Sequence, residues 1–538
     1  MAKRQNKPLL PNTKLVVWPD TIQSDRQYVG LIGMKDCQVQ ADDFVLITDM
    51  RYEYFAKIEG RPANFSPALG RDDPASFSAI AKKLIGEIKT MALEEHNLLH
   101  YNARLIQQAE RWGYQEIAEV LTAPALGAEA DRASAMDVVR FLGLPSMHAP
   151  YKIGQIFHTA VPLCLSLEIM IHHLLLAGAT GQGKTTLISN CVAACAAMGA
   201  TIVLFDLKPD YQSMEETPHD VALFRYPSSV PQLPRPRITY WNLNEPRPYR
   251  ADSLPINVRF SDLDPEAFAG KAAGSDTQYI VWSHMLLWFV DRMRRDGKQH
   301  WTLRDFHAWM PKNKAEANKM TELYPYESSP HESTLDAHYR VARAKPSWVD
   351  RGGTAPQRGG LGTGIKTPPF FFESPQFLQP GHVHVIQTDP AIDRDYGLFV
   401  TTLLKRISRE KAEKAISHPV ILIIDEAEDI FSGPEFARAS VRTLAGIIRK
   451  GRSQNIGVVL SVQSAMSVPA NIAQNLNTIV AFRHNDDDAA GHIKKILGKD
   501  AANLQNLEKG QALIRFFQAK AVVRAALDRE AFQLVVTK

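Results

Sequence analysis

Apolar and polar positions alternate with several different rhythms along the chain. Near the start, the runs at 28–33 and 44–49 and the partly alternating stretch at 52–58 read as strands, with Gly and Asp between them. Residues 75–96, 102–121 and 133–142 carry apolar side chains at helical spacing and predict three helices. Pro145 and Pro150 mark a boundary. Beyond it the apolar runs are short and unbroken: Leu174-Leu175-Leu176-Ala177, Thr201 to Lys208, His382 to Asp389, Val420 to Glu426, Ile456 to Ser461 and Asn477 to Arg483. Helical patterns at 186–198 and 396–414 separate some of them. Strands and helices in turn predict βαβ units and a parallel sheet buried on both faces.

The stretch 209–380 breaks this rhythm. It is Pro-rich to 261, with a strand-like piece at 238–241, and helical from 265 to 310. The runs at 512–516 and 519–526 read as a closing hairpin. The expected fold class is therefore α/β: a small β-barrel at 1–70, a helical segment at 71–145, an α/β core at 146–262 and 380–538, and a helical and basic insertion at 263–379.

Composition changes this picture little. The chain has 538 residues, 45% hydrophobic and 22% charged, enough for two to four packed domains. Lys and Arg number 62 against 58 Asp and Glu, a net charge of +4. Any surface for DNA must then be local. Arg343, Lys345, Arg351, Arg358 and Lys366, spread among glycines, offer one such loop, suited to phosphate-backbone contacts in a channel or to no role at all. Cys37, Cys164, Cys191 and Cys195 show no metal-ligand spacing and read as buried thiols. The most apolar run, 160–178, contains Glu168, His172 and His173 and makes a poor membrane span. A cytoplasmic protein is expected.

Chemistry is concentrated at two strand ends. Gly178-Ala179-Thr180-Gly181-Gln182-Gly183-Lys184-Thr185 follows the first core strand and opens a helix at Thr186. Gly178, Gly181 and Gly183 let backbone N–H groups close around phosphates, with Thr180 and Thr186 in the same cradle. Lys184 brings a point charge, and the Thr185 hydroxyl is placed for Mg²⁺. The helix N-terminus adds its dipole. At the second end, five apolar residues run into Asp425-Glu426. Asp425 is assigned to the metal and Glu426 to the base that polarises attacking water. Asp206 ends another strand and is either a ligand-side acid or a turn residue. Gln463, after the run at 456–461, is placed to sense the terminal phosphate. The Arg449-Lys450-Gly451-Arg452 cluster can serve a neighbouring subunit's nucleotide.

Together these residues resemble the HerA branch of the HerA–FtsK class of ring ATPases. The resemblance rests on His173 to Thr185, Ile153-Gly154 with Val161-Pro162, Asp425-Glu426-Ala427, Gly451-Arg452-Ser453 and Ser461-Val462-Gln463-Ser464, in the family's order. It covers roughly 145–208 and 380–525. It implies a RecA-like core, a homohexamer, and ATP-driven movement of DNA through a central channel, with Mg²⁺. It also implies Lys184 and Thr185 on the phosphates, Asp425 and Glu426 on metal and water, and Gln463 as sensor. Arg452 is the implied trans-acting finger, by a spacing to Gln463 similar to that of type IV coupling proteins, with Arg449 in reserve. HerA-like proteins work with a nuclease or another effector, in DNA end resection or antiphage defence. One departure stands out. Where the family often has Asp-x-x-x-Glu/Asp-Tyr, this chain reads Asp206-Leu207-Lys208-Pro209-Asp210-Tyr211, nearer the FtsK side. Two other classes compete with a translocase: an ATP-regulated ring scaffold for an effector enzyme, and a coupling ATPase for DNA secretion.

Overall fold

In the computed structural model the apolar runs become strands of two sheets, in two units that are described separately. Residues are described throughout except 1–14, 19–27, 35–36, 38, 65–97, 112–116, 121, 126, 145–150, 158, 160, 215–235, 244–249, 251, 274–275, 313–314, 317, 320–345, 351–369, 376, 389–395, 432–438, 502–503, 518–520 and 528–538. The helix expected at 75–96 and the glycine-rich basic loop fall outside the described residues.

The first unit holds β1 (Leu15–Trp18), β2 (Tyr28–Met34), β3 (Phe44–Thr48), β4 (Tyr52–Asn64), β5 (Leu98–Glu110), β6 (Ile117–Ala118) and β7 (Glu129–Arg132). They lie in the order β2-β1-β7-β3-β4-β5-β6, and β5 also pairs with β2. Six strands thus close into a barrel with no free edge. The helix expected over 102–121 is not there, because β5 runs antiparallel to both β4 and β2. Its buried positions Tyr101, Ala103 and Leu105 alternate as a strand's must. The register shift beyond Leu105 then changes the alternation, and Gln107 and Gln108 are both buried.

Register shifts at Phe55/Ala56 and Glu59/Ala63 bend the long β4–β5 pair around the barrel. The helix Ala135–Leu142 is as expected, started by a Ser134–Asp137 capping box. Its Phe141 ring stacks on Phe55 at 5.1 Å, and Phe55 on Phe44 at 5.0 Å.

The second unit is the α/β core. β8 (Tyr151–Ile156), β9 (Pro162–Leu165) and, late in the chain, β19 (Val523–Leu527) occur where the chain passes between units. The core strands are β10 (Leu174–Ala177), β11 (Thr201–Asp206), β12 (Arg237–Asn242), β13 (Leu254–Pro255), β14 (His382–Gln387), β15 (Val420–Ile424), β16 (Ile456–Val462), β17 (Thr478–Ala481) and β18 (Gln511–Arg515). Side by side they run β13-β12-β14-β11-β15-β16-β10-β17-β18. Every neighbouring pair is parallel except β17–β18.

Every residue of β10, β11, β14, β15, β16 and β17 is buried, which is why each reads as an unbroken apolar run. β12 comes from the Pro-rich stretch thought to interrupt the core, yet it joins this sheet beside β14. The helices Pro265–Ala272, Asp276–Arg295 and Leu303–Trp309 lie where the helical pattern of 265–310 predicts them. Cys191 and Cys195 lie fully buried on the helix Lys184–Ala197, where burial pushes the Cys191 thiol up to about 12.

Candidate functional site

Four adjacent parallel strands place the chemistry. Register pairs Phe205 of β11 with Ile424 of β15, Ile424 with Leu460 of β16, and Val462 with Ala177 of β10. Their carboxyl ends therefore open at one edge, where ligands bind in open α/β sheets. That edge carries the phosphate loop after β10, Lys208 after β11, Asp425-Glu426 after β15 and Gln463 after β16.

The loop is pinned by its neighbours. The Gly178 N–H donates to the Val462 carbonyl oxygen at 3.2 Å and the Ala179 N–H to that of Arg483 at 3.0 Å. The Gln182 carbonyl oxygen accepts from the Gly510 N–H at 3.0 Å. Gly181 and Gly183 have φ of 76° and 121°, a region that side chains resist. A Cβ on Gly178 would sit 2.5 Å from the Cβ of Phe482.

Lys184 is buried at the first turn of a fourteen-residue helix. Its ammonium donates to the Gly178 carbonyl oxygen at 2.5 Å. Burial lowers its pKa, against an upward pull from Glu426, Asp425 and Glu428. Thr185 and Thr186 are half-buried; Thr180 and Gly181 are exposed.

Asp425 is buried, with Oδ2 accepting the Tyr211 hydroxyl at 2.8 Å and Oδ1 accepting the Glu426 N–H at 3.0 Å. Glu426 has φ of 50°, a left-handed conformation that costs a non-glycine residue roughly 1–3 kcal/mol. One of its carboxylate oxygens pairs with the Lys208 ammonium. The other accepts from Gln463 Nε2 at 3.0 Å. Burial raises the Glu426 pKa, but these two bonds outweigh it and hold the carboxyl below its usual range. The Gln463 N–H is taken by Glu428, whose pKa burial pushes up.

Asp206, buried beneath this edge, has a pKa raised well above the usual range by burial and then by Asp210 and Asp425. Its Oδ2 accepts from the Tyr211 N–H at 3.4 Å, and its Oδ1 meets no hydrogen-bond donor among the described residues. It supports the turn more than it faces a ligand.

The sequence reading did not give Lys208, Tyr211 or Glu428 a place in this cluster. The first two stand in the stretch Asp206 to Tyr211, quoted only for departing from the family pattern. Their position directly after a core strand was the available signal.

Arg452 lies apart from this edge. It is exposed, like Arg449, on the single turn Gly451–Gln454 that precedes β16, whereas Gln463 follows β16. Seven strand residues separate the two ends, roughly 20 Å at the usual rise per residue. Gly451 is required there. A Cβ would come within 2.6 Å of the Ile456 carbonyl oxygen and 2.9 Å of His173 Cε1. His173 itself is buried, its Nδ1 accepting the Val458 N–H at 3.1 Å, and burial lowers its pKa to about 4.

Whether this edge fits a nucleotide with Mg²⁺ turns on the donor set. The Thr185 hydroxyl and the Asp425 carboxylate are hard oxygen donors of the kind Mg²⁺ takes alongside phosphate and water. The loop offers left-handed glycines and a lysine whose hydrogen bond, among the described residues, goes to the Gly178 carbonyl oxygen. The residues fit.

Comparisons with known proteins agree with this region of the chain. Residues 151–354 match the family model described as Helicase HerA, central domain. Among curated proteins none matches. Among solved structures, the plasmid coupling protein TrwB bound to a non-hydrolysable GTP analogue is similar, at 15% identity over 76% of this chain and 95% of that one, with a TM-score of 0.47. The same protein with ADP and Mg²⁺ gives 15% identity over 76% and 94%, also at 0.47. VirB4 of Thermoanaerobacter pseudethanolicus gives 11% identity over 72% and 98%, at 0.45. Among the described residues no helix is long and apolar enough to cross a membrane.

Proposed function

With a HerA-family central domain at residues 151–354 as premise, we propose that the protein is an ATP-hydrolysing DNA translocase that works as a homohexameric ring. The observation that carries the reading is the convergence of Lys184, Asp425, Glu426 and Gln463 at one edge of four parallel strands. A phosphate loop and a carboxylate pair meeting in this way suit hydrolysis of a nucleoside triphosphate.

In this reading the loop N–H groups and Lys184 bind the phosphates, Lys184 leaving the Gly178 carbonyl oxygen to do so. Thr185 and Asp425 would hold Mg²⁺, which neutralises phosphate charge when bound. Glu426 orients water and takes its proton, a role a carboxylate held in the ionised form can fill. Gln463 reports the state of the terminal phosphate through its amide. Arg452, about 20 Å along β16 from its own phosphate edge, is placed to serve another protomer's nucleotide. Such a contribution is worth about 10³–10⁵ in rate.

DNA as the track and a nuclease or other effector as companion rest on the family resemblance. ATP turnover measured with and without duplex DNA tests the reading. Stimulation by DNA is expected. No DNA binding at moderate salt, with turnover indifferent to DNA, overturns translocation. Mixing Lys184→Ala with Arg452→Ala subunits tests the shared site: partial recovery of turnover is expected, and two inactive variants that stay inactive together contradict it.

A further inference from the structure

Both carboxylate oxygens of the base are engaged. One Glu426 oxygen is paired with Lys208 and the other accepts from Gln463 at 3.0 Å. A general base needs an oxygen in hydrogen-bond reach of the proton it takes. The two bonds differ in kind. Gln463 donates from a neutral amide. Lys208 donates from an ammonium, the stronger of the two by charge.

The geometry that brings them together is built in. Lys208, Glu426 and Gln463 follow β11, β15 and β16, three consecutive strands in fixed register. Glu426 is held left-handed at φ 50° where the pair forms. Lys208 is also free to leave. Its side chain is 51% exposed against 16% for Glu426, on a four-carbon stem with a compact charge. The edge therefore has a second lysine besides Lys184, on the opposite side of the carboxylate pair, whose present anion is the base itself.

We propose that Lys208 is a positioning residue that holds Glu426 out of use and releases it by exchanging the carboxylate for phosphoryl oxygens of a nucleoside triphosphate. Before the nucleotide arrives, both lysines of the edge are satisfied by the protein: Lys184 by the Gly178 carbonyl oxygen, Lys208 by Glu426. A polyphosphate offers each a competing anion, and for Lys208 giving up Glu426 is a net cost to turnover. As Lys208 leaves, one Glu426 oxygen becomes available to water, while Gln463 keeps the other in place. No covalent bond is made or broken in the exchange and no proton moves; the nucleotide brings the anion that Lys208 takes in place of Glu426. The inference rests on the reading of Glu426 as the base.

The test is steady-state ATP turnover of the full chain at subsaturating nucleotide without DNA, for Lys208→Met and Lys208→Arg, with nucleotide affinity and thermal midpoint recorded beside it. Methionine keeps the length and removes the charge. Arginine grips a carboxylate with two parallel bonds. Lys208→Met should turn over ATP about three- to fivefold faster, the scale a half-exposed ion pair can hold back. Lys208→Arg should be slower than the parent. Both variants slowed, or both unchanged, with parent-like melting would overturn the proposal. Glu426→Gln separates this from the reading beneath it. If that variant is inactive and Lys208→Met is no faster, only the holding role fails. If Glu426→Gln hydrolyses at the parent rate, the base assignment fails as well.

Discussion

The barrel and the parallel sheet treat buried charge in opposite ways. In the barrel each such group is matched by a charge of opposite sign. Lys57, 3% exposed, lies 3.2 Å from Asp42; Arg104 lies 2.6 Å from Glu59, and Arg132 lies 3.2 Å from Asp43. These pairs join neighbouring strands and turns. At the carboxyl edge of the sheet, Asp206, Asp210, Asp425, Glu426 and Glu428 face two lysines, and burial, with neighbouring acids after it, raises the pKa of Asp206, Asp210 and Glu428. Crowding of like charge is costly for stability and useful for a site that awaits a cation and a polyphosphate. The difference sets the proposed chemistry of the second unit against the paired charges described in the first.

The largest expected effect breaks that division if it fails. Lys184→Ala should reduce ATP turnover by about 10²-fold or more, as loss of a phosphate clamp does, with the melting temperature hardly changed. A variant that melts early but keeps full turnover per folded molecule would make Lys184 structural.

In the barrel the sign reverses. Lys57→Met should leave Asp42 less well matched and cost about 2–3 kcal/mol, at the lower end for a broken buried pair because Arg524 lies 3.6 Å away. Chemical denaturation measures the loss, and turnover of the folded fraction should match the parent.

His173 gives the core a pH signature of its own. Its pKa is about 4 when folded, against 6.5 for the ordinary group. The unfolded chain thus binds the proton first as pH falls. Stability is full above about 6.5 and declines as pH falls toward 4. At pH 5 the loss is about 2 kcal/mol. Denaturation at pH 7 and 5 should show this loss in the parent and a smaller one in His173→Gln. An equal loss in both would remove His173 from the account.

The smallest effect belongs to the barrel's helix. Ser134→Ala removes the capping box and should cost about 1 kcal/mol, with no effect on turnover.

The same contrast explains what could be read ahead of the structure. Strands of the sheet are buried on both faces, so β15 and β16 appear as runs that stop where chemistry starts. Their ends could be named from the residues alone. The barrel strands mix polar and apolar side chains on the inward face. Gln107 and Gln108 are both buried on β5, and a helical spacing fitted that stretch as well as a strand. β12 was under-read for another reason: only its last three residues, Tyr240 to Asn242, are buried.

Within the site, the phosphate loop and the Asp425-Glu426 pair were legible because local spacing defines them. Lys208 was not, since its meaning depends on β11 lying next to β15, a pairing between residues more than two hundred positions apart. Gly451 is similar. A Cβ there would meet the nearby Ile456 carbonyl oxygen and also His173, far earlier in the chain.

The central claim is that Glu426 takes the proton from water at a site gripped by Lys184. Glu426→Gln, incubated with Mg²⁺ and radiolabelled ATP and then separated from free nucleotide, tests it most directly. The account predicts parent-like binding and intact ATP on the protein, with turnover reduced by about 10²-fold or more. ADP released at the parent rate would contradict it.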